Sequence, residues 1–367
     1  MVEEVSQSIL FESFRLGSIM LDKRIVMAPL TRCRAMDHVP NELMAEYYAQ
    51  RATAGLIISE GTAPSPNGIG YARIPGIYSK EQLDAWKPIA DRVHELDGRI
   101  FMQLMHTGRM SHPDNMPQGS RILAPSVVPV KKKKLFVDGK GPCDLPPPGE
   151  MSEQDIEATI SEFGKAAQNA VASGMDGIEI HGANGYLVEQ FISPVTNKRT
   201  DYYGGSVDNR IRFAVEVARE ICDVIGADRV GMRISPLSIF NEMDVYPAME
   251  ATYYRLAEEL ADLGLVYLHL VDHEKWGNPP FPRSFKEKLG KLFKGPIILC
   301  GAYDRFRAEK DLESGLGDLV AYGRPYISNP DLVERMHKNA ILNVPDPKTF
   351  YKAGPQGYID YGKMDNG

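Results

Sequence analysis

SEQDIEATISEFGKAAQNAVASGMDGIEIHGA, residues 152 to 183, contains one complete helix and the strand that follows it. Ser152 and Asp155 form a capping pair, and Ile156, Ile160, Phe163, Ala167 and Ala170 recur at helical spacing until Gly174 ends the helix. One face of that helix is apolar. The run MDGIEIHGA at 175 to 183 then reads as a strand buried on both faces.

The same unit recurs along the chain. Apolar runs stand at 24 to 30, 56 to 61, 99 to 106, 229 to 236, 265 to 272, 295 to 303 and 318 to 326, which makes eight with 175 to 183. Amphipathic stretches at 42 to 53, 80 to 96, 152 to 173, 208 to 225, 248 to 263, 281 to 294, 304 to 314 and 329 to 340 follow them in turn. Eight strand and helix units with no break in composition predict an α/β fold of the (β/α)8 TIM barrel type, a single domain over residues 1 to 367. An open doubly wound sheet is the alternative, and it would usually carry a glycine fingerprint after an early strand. Residues 1 to 23 precede the first unit and read as an N-terminal hairpin around Gly17 that plugs the barrel floor. Residues 107 to 151 form a long capping insertion after the third strand, on the functional face of the barrel.

Composition narrows the function. Hydrophobic residues at 43% and charged residues at 25% describe an ordinary globular chain, and a net charge of −7 offers no positive field for a nucleic-acid backbone. Cys33, Cys143, Cys222 and Cys300 form no CxxC pair, which points to a reducing compartment. The opening MVEEVSQSIL has acids where a signal peptide needs bases, and no run reaches the ~18 apolar residues of a membrane span, so a cytoplasmic protein is expected. There is no GxGxxG, no P-loop and no HExxH, since HELDG and HEKWG lack the second histidine; no metal site is expected. The lysine run at 131 to 134 is read as a solvated loop.

Active sites of this barrel lie at the C-terminal ends of the strands, and the polar residues there are numerous. Strand one ends in Pro29, Leu30, Thr31 and Arg32, strand two in Glu60 and Gly61, and strand three in Gln103, Leu104, Met105 and His106. Strand four runs into His181, Asn184 and Tyr186, strand five carries Arg233, strand seven ends at Gly301 and Ala302, and strand eight at Gly323 and Arg324. His181 and Asn184 can each offer an N–H to one oxygen, which polarises a carbonyl and holds an enolate. Tyr186 is a plausible acid toward a carbanion or enolate, and a half-buried wall residue is the less favoured alternative there. Glycines beside Arg324 suit a phosphate, Gln103 can donate and accept at once along an amide edge, and Arg233 supplies a fixed charge. Phosphate, amide edge and buried anion together describe reduced FMN.

HGANGYLVEQFISPVTNKRTDYYGGSVDNRIRF (181 to 213) and the shorter stretches MAPLTRCRA (27 to 35), GLIISEGTAPSPNGIGYARIPGIY (55 to 78), QLMHTGRMSH (103 to 112), MRISP (232 to 236), GRPYISNPDL (323 to 332) and GYIDY (357 to 361) resemble the old yellow enzyme family of FMN-dependent ene-reductases. The resemblance implies tightly bound, non-covalent FMN at the barrel mouth. Thr31 would bond near the flavin O4 and N5 edge, Pro29 and Leu30 would also bind the cofactor, and Gly61 would approach the ring through its backbone. Gln103 would hold the pyrimidine and Arg233 the N1 and O2 side, with Gly301, Gly323 and Arg324 around the phosphate and Ala302 a further cofactor-binding residue. His181 and Asn184 would bind the substrate carbonyl and Tyr186 would protonate the alpha carbon, within walls that include Tyr71, Met105, Tyr351 and Trp276. NADPH or NADH would be a transient hydride donor in a ping-pong cycle, and an enone or a nitroalkene the substrate. No nucleic-acid or membrane partner is implied, and monomer and homodimer both stay open. Thr31 stands where one branch of the family has Cys, and Met105 where some members have a bulkier residue. Two rivals remain at this point: a flavin-free, phosphate-binding barrel of isomerase or aldolase type, and a non-catalytic barrel that binds a partner through residues 131 to 150.

Overall fold

A computed structural model describes residues 8–364, in which eight parallel strands close into a ring. In chain order they are Ile25–Met27, Leu56–Ile58, Ile100–Leu104, Gly177–Gly182, Val230–Ile234, Tyr267–Val271, Ile297–Cys300 and Leu319–Tyr322. Leu319–Tyr322 pairs with Ile25–Met27, and that last pairing excludes the open doubly wound sheet. Alternation within each strand sets two cores. Val26, Ala28, Leu56, Ile58, Phe101, Tyr267, Ile298 and Leu319 fill the barrel interior. Ile25, Met27, Ile57, Ile178 and Ile180 face outward and meet Trp86, Ile89, Phe163 and Phe213 on the surrounding helices.

The helices are those that the periodicity predicts, with instructive differences at their ends. Ser152 and Asp155 form a reciprocal capping box on Glu153–Ala172. Ser79 and Gln82 do the same on Lys80–His94. The stretch read as one helix at 329 to 340 is only Leu332–His337, preceded by a separate Arg324–Ser328. Pro330 explains the break, because it pushes Asn329 out of the helical region, to φ −129° and ψ 86°. A helix at Leu187–Ile192, directly after the fourth strand, was not foreseen.

Strands Phe14–Leu16 and Ile19–Leu21 form the expected hairpin, and Leu16 and Leu21 reach into the interior core from below. Gly17 turns it at φ +57°, where a Cβ would stand 2.5 Å from the Asp228 carbonyl oxygen and 2.7 Å from Val266. Gly17→Ala is therefore expected to destabilise the fold by about 2–4 kcal/mol, from the left-handed backbone and the overpacking together. Chemical denaturation measures this; a midpoint equal to the parent's would mean that the hairpin does not bear on the barrel floor.

The insertion at 107 to 151 does lie on the functional face. It carries a second hairpin, Lys134–Val137 with Gly141–Asp144. Arg109 ties its base to the loop after the fifth strand by donating to the carbonyls of Asn241 and Glu242, both at 2.9 Å. The lysine run corrects the sequence reading in part. The backbone N–H groups of Lys131 and Lys132 donate to the Glu242 carboxylate, and Lys133 donates to Asn241 Oδ1 at 3.0 Å with its ammonium 3.6 Å from the Phe240 ring centre. A chelating carboxylate and an aromatic face thus dock the run on the barrel, although Lys131, Lys132 and Lys134 keep exposed side chains. Among the described residues no helix is long and apolar enough to cross a membrane, and no metal-binding cluster occurs.

Candidate active site

Register between neighbouring strands builds the inner wall of the barrel mouth. His181 lies opposite Arg233, Arg233 opposite His269, and Glu179 opposite Gln103. Five polar side chains from strands three to six therefore occupy two adjacent levels, and all five are buried. Glu179 is their hub. It accepts from Gln103 Nε2 at 2.8 Å and from the Tyr267 hydroxyl at 3.1 Å, and it lies 2.8 Å from His269 Nδ1. Burial alone would lower the His269 pKa, but the Glu179 carboxylate and Cys300 beside it carry it above the usual value. Neither Glu179 nor His269 stood out in the sequence, because each looked like one residue of an apolar strand.

Gln103 uses one amide hydrogen on Glu179 and keeps its oxygen and second hydrogen for another partner. Arg233 has no carboxylate partner among the described residues; its one side-chain hydrogen bond is to Cys300 Sγ at 3.8 Å, and its buried Nε has no acceptor. A buried guanidinium in that state calls for an anion or a strong acceptor in the mouth. The site therefore fits the N1 and O2 edge of a flavin that gains negative charge on reduction.

His181 closes this wall near the end of the fourth strand, and the loop that follows carries Asn184 and Tyr186. His181 Nδ1 accepts from the Ala183 N–H at 3.3 Å, so the ring proton sits on Nε2. Burial, reinforced by Arg233, His269 and His273, holds the His181 pKa well below its ordinary value, which keeps the ring neutral. Asn184 adopts φ +60°, with its N–H on Ser235 Oγ at 2.8 Å and its carbonyl accepting from Asn241 Nδ2 at 2.8 Å. Beneath the loop the buried Glu189 accepts from the Gly185 N–H, from Ser235 Oγ and from the Tyr253 hydroxyl. Burial raises its pKa to about 7 against those three donors.

The Tyr186 ring meets His181 edge to face at 4.9 Å between centres, and its hydroxyl donates to the Tyr71 hydroxyl at 3.0 Å. Burial pushes the Tyr186 phenol up to about 12, so the group carries its proton at any ordinary pH. Met105 is buried against Gly61, where a Cβ would stand 2.6 Å from its sulfur. Pro29 is buried, Leu30 and Thr31 are half-buried, and the Leu30 side chain is the nearest neighbour of Gly323. Gly301 and Ala302 form a turn with φ of +153° and +47° at the end of strand seven.

Three expected residues stand at the rim. Tyr351 is 63% exposed, and Arg73 holds its carbonyl at 3.0 Å while Arg34 donates to the carbonyls of Thr349 and Phe350 on the same segment. Trp276 is half exposed, lying between the Arg324 guanidinium, 4.9 Å from its ring centre, and the His273 ring. Arg324 itself is exposed. Sequence reasoning missed His273 and Asn241, whose side chains both bond to Asn184. The first lay in HEKWG, weighed only as a failed metal motif, and the second in a loop without a motif.

A closed parallel barrel whose mouth joins a buried unpaired guanidinium, an amide edge, two neutral N–H donors and a protonated phenol defines a flavin-using oxidoreductase. The comparisons with known proteins agree, for residues 9–343 match the family described as NADH:flavin oxidoreductase / NADH oxidase, and the chain belongs to it. It is 40% identical to 12-oxophytodienoate reductase 7 of Oryza sativa subsp. japonica, over 97% of this chain and 94% of that one. It is 38% identical to a probable flavin mononucleotide-dependent alkene reductase of Leishmania infantum, over 98% of each chain. The solved structure of morphinone reductase superposes with a TM-score of 0.94 at 42% identity, covering 99% of this chain and 98% of that one. The old yellow enzyme resemblance read from the sequence is thereby established, and the flavin-free and non-catalytic alternatives fall with it.

Proposed function

We propose that this protein is an FMN-dependent ene-reductase that accepts hydride from NADPH or NADH and saturates the C=C bond of an α,β-unsaturated carbonyl compound or a nitroalkene. One observation carries the reading: residues 181 to 186, at and just past the end of the fourth strand, supply the His181 Nε2 proton, the Asn184 amide and the protonated Tyr186 phenol beside the unpaired Arg233. FMN, when bound, supplies a two-electron carrier that takes hydride from the nicotinamide and returns it to the alkene.

This chain's residues do the rest. Pro29, Leu30, Thr31 and Gly61 border the flavin edge, Gln103 holds its pyrimidine and Arg233 neutralises the charge gained there. Gly301, Ala302 and Gly323 offer backbone N–H groups and Arg324 a guanidinium to the phosphate. His181 and Asn184 bind the substrate oxygen and strengthen their hold as negative charge develops on it. Tyr186 delivers its proton to the alpha carbon, and the Tyr71 hydroxyl, which accepts that proton's hydrogen bond in the resting site, keeps the phenol aimed across the mouth. Tyr71, Met105, Trp276 and Tyr351 bound the substrate space. The nicotinamide donor needs no domain of its own, because it visits the same donors in turn with the alkene.

The test is an anaerobic titration. Yellow holoenzyme should bleach with NADPH or NADH and regain its colour on addition of cyclohexenone, with cyclohexanone as product. A colourless protein, or bleaching that no enone or nitroalkene reverses, would overturn the assignment. Within this reading Arg324→Ala is expected to lower FMN occupancy, through loss of a charge-assisted bond of about 1.5–3 kcal/mol. Dialysis followed by the ratio of flavin to protein absorbance checks it, and full retention of FMN would count against the phosphate role.

A further inference from the structure

We propose that His273 is a positioning residue that orients the Asn184 amide, so that Asn184 presents its NH2 group, and not its oxygen, to the substrate. The inference rests on the donor pair proposed above and assigns what makes one member of it a donor.

A primary amide can point either end into a cavity, and only its partners decide which. Asn184 Oδ1 lies 2.8 Å from His273 Nε2. With a proton on Nε2 the imidazole donates to Oδ1, and the amide must then direct Nδ2 elsewhere, toward the mouth. The backbone of Asn184 cannot adjust to undo this, because its N–H is committed to Ser235 and its carbonyl to Asn241.

His273 is held as firmly as the residue it orients. Its ring stacks beside Phe240 at 6.3 Å between centres and meets Trp276 at 5.7 Å. Its carbonyl accepts from the Trp276 N–H at 2.8 Å and from Asn278 Nδ2 at 3.2 Å. Burial, with Arg233 nearby, lowers its pKa to about 4, so one proton remains on the ring at neutral pH. That proton serves Asn184 from Nε2. The outcome is a matched pair: Ala183 fixes the proton of His181 on Nε2, and His273 fixes the donor end of Asn184.

The opposite arrangement, in which Nε2 accepts from the amide, would turn Asn184 Oδ1 toward a developing oxyanion and oppose it. The two arrangements predict opposite effects of removing His273, which makes the question decidable. Binding of 4-chlorophenolate to the oxidised holoenzyme, followed by its long-wavelength charge-transfer absorbance, reads the donor pair without turnover. His273→Leu is expected to weaken that binding about tenfold, and His273→Gln, whose amide can donate to Oδ1, to restore most of it. In an Asn184→Ala background His273→Leu should change the affinity little, since the group it orients is gone. Unchanged or tighter binding in His273→Leu would overturn the proposal, as would an equal loss in the Asn184→Ala background, which would place His273 in direct contact with the ligand. A parent holoenzyme that binds no phenolate would remove the donor-pair reading first, and this inference with it.

Discussion

Tyr186→Phe is expected to slow the reaction of the reduced holoenzyme with cyclohexenone by ~10²–10⁴-fold, the usual contribution of a positioned acid, while its reduction by NADPH stays near the parent rate. The asymmetry follows from where protons are needed. Oxidation of the nicotinamide releases hydride and requires no protein acid, whereas saturation of an enone leaves a carbanion or enolate that needs a proton at the alpha carbon. Burial holds the Tyr186 proton in place, with the phenol raised to about 12, and the Tyr71 hydroxyl 3.0 Å away fixes its direction. Removing one hydroxyl from a ring packed against His181 changes little else. The loss should shrink for nitroalkenes, whose nitronate product is stable enough to leave and take its proton from water. Stopped-flow measurement of the two half reactions decides the matter; equal slowing of both, or of neither, would make Tyr186 a wall of the pocket and not its acid.

The double replacement of His181 and Asn184 by Ala should weaken phenolate binding by ~10²–10⁴-fold and leave FMN bound. Two N–H donors facing one oxyanion make two charge-assisted bonds of about 1.5–3 kcal/mol each, and the sum converts to that range of affinity. FMN should survive, because the residues assigned to it lie on other strands: Gln103 on the third, Arg233 on the fifth and the glycines after the seventh and eighth. His181 does lie opposite Arg233 in the sheet, so flavin absorbance is recorded with every phenol titration. Phenolate affinity equal to the parent's would remove the donor pair, and parallel loss of flavin and phenolate would show that the pair holds the cofactor instead.

The local code of the chain determined its architecture. Helix periodicity, the capping residue Ser152, and eight apolar runs were enough to count the strand and helix units, because each depends on residues within a few positions of one another. His181, Asn184 and Tyr186 were equally legible, since all three fall within six consecutive residues at the end of one strand. Tertiary structure alone decided what surrounds them. Ring closure and register brought Gln103, Glu179, Arg233 and His269 onto one wall, and no periodicity within a single strand encodes which residue of its neighbour stands opposite. Asn241 from the loop after the fifth strand, itself held by Lys133 of the insertion, and His273 from the loop after the sixth meet Asn184 only in the folded chain. These contacts span tens of residues of sequence, so the packing of the barrel places them, and it also aimed the Asn184 amide and held Arg324 against Trp276 at the rim.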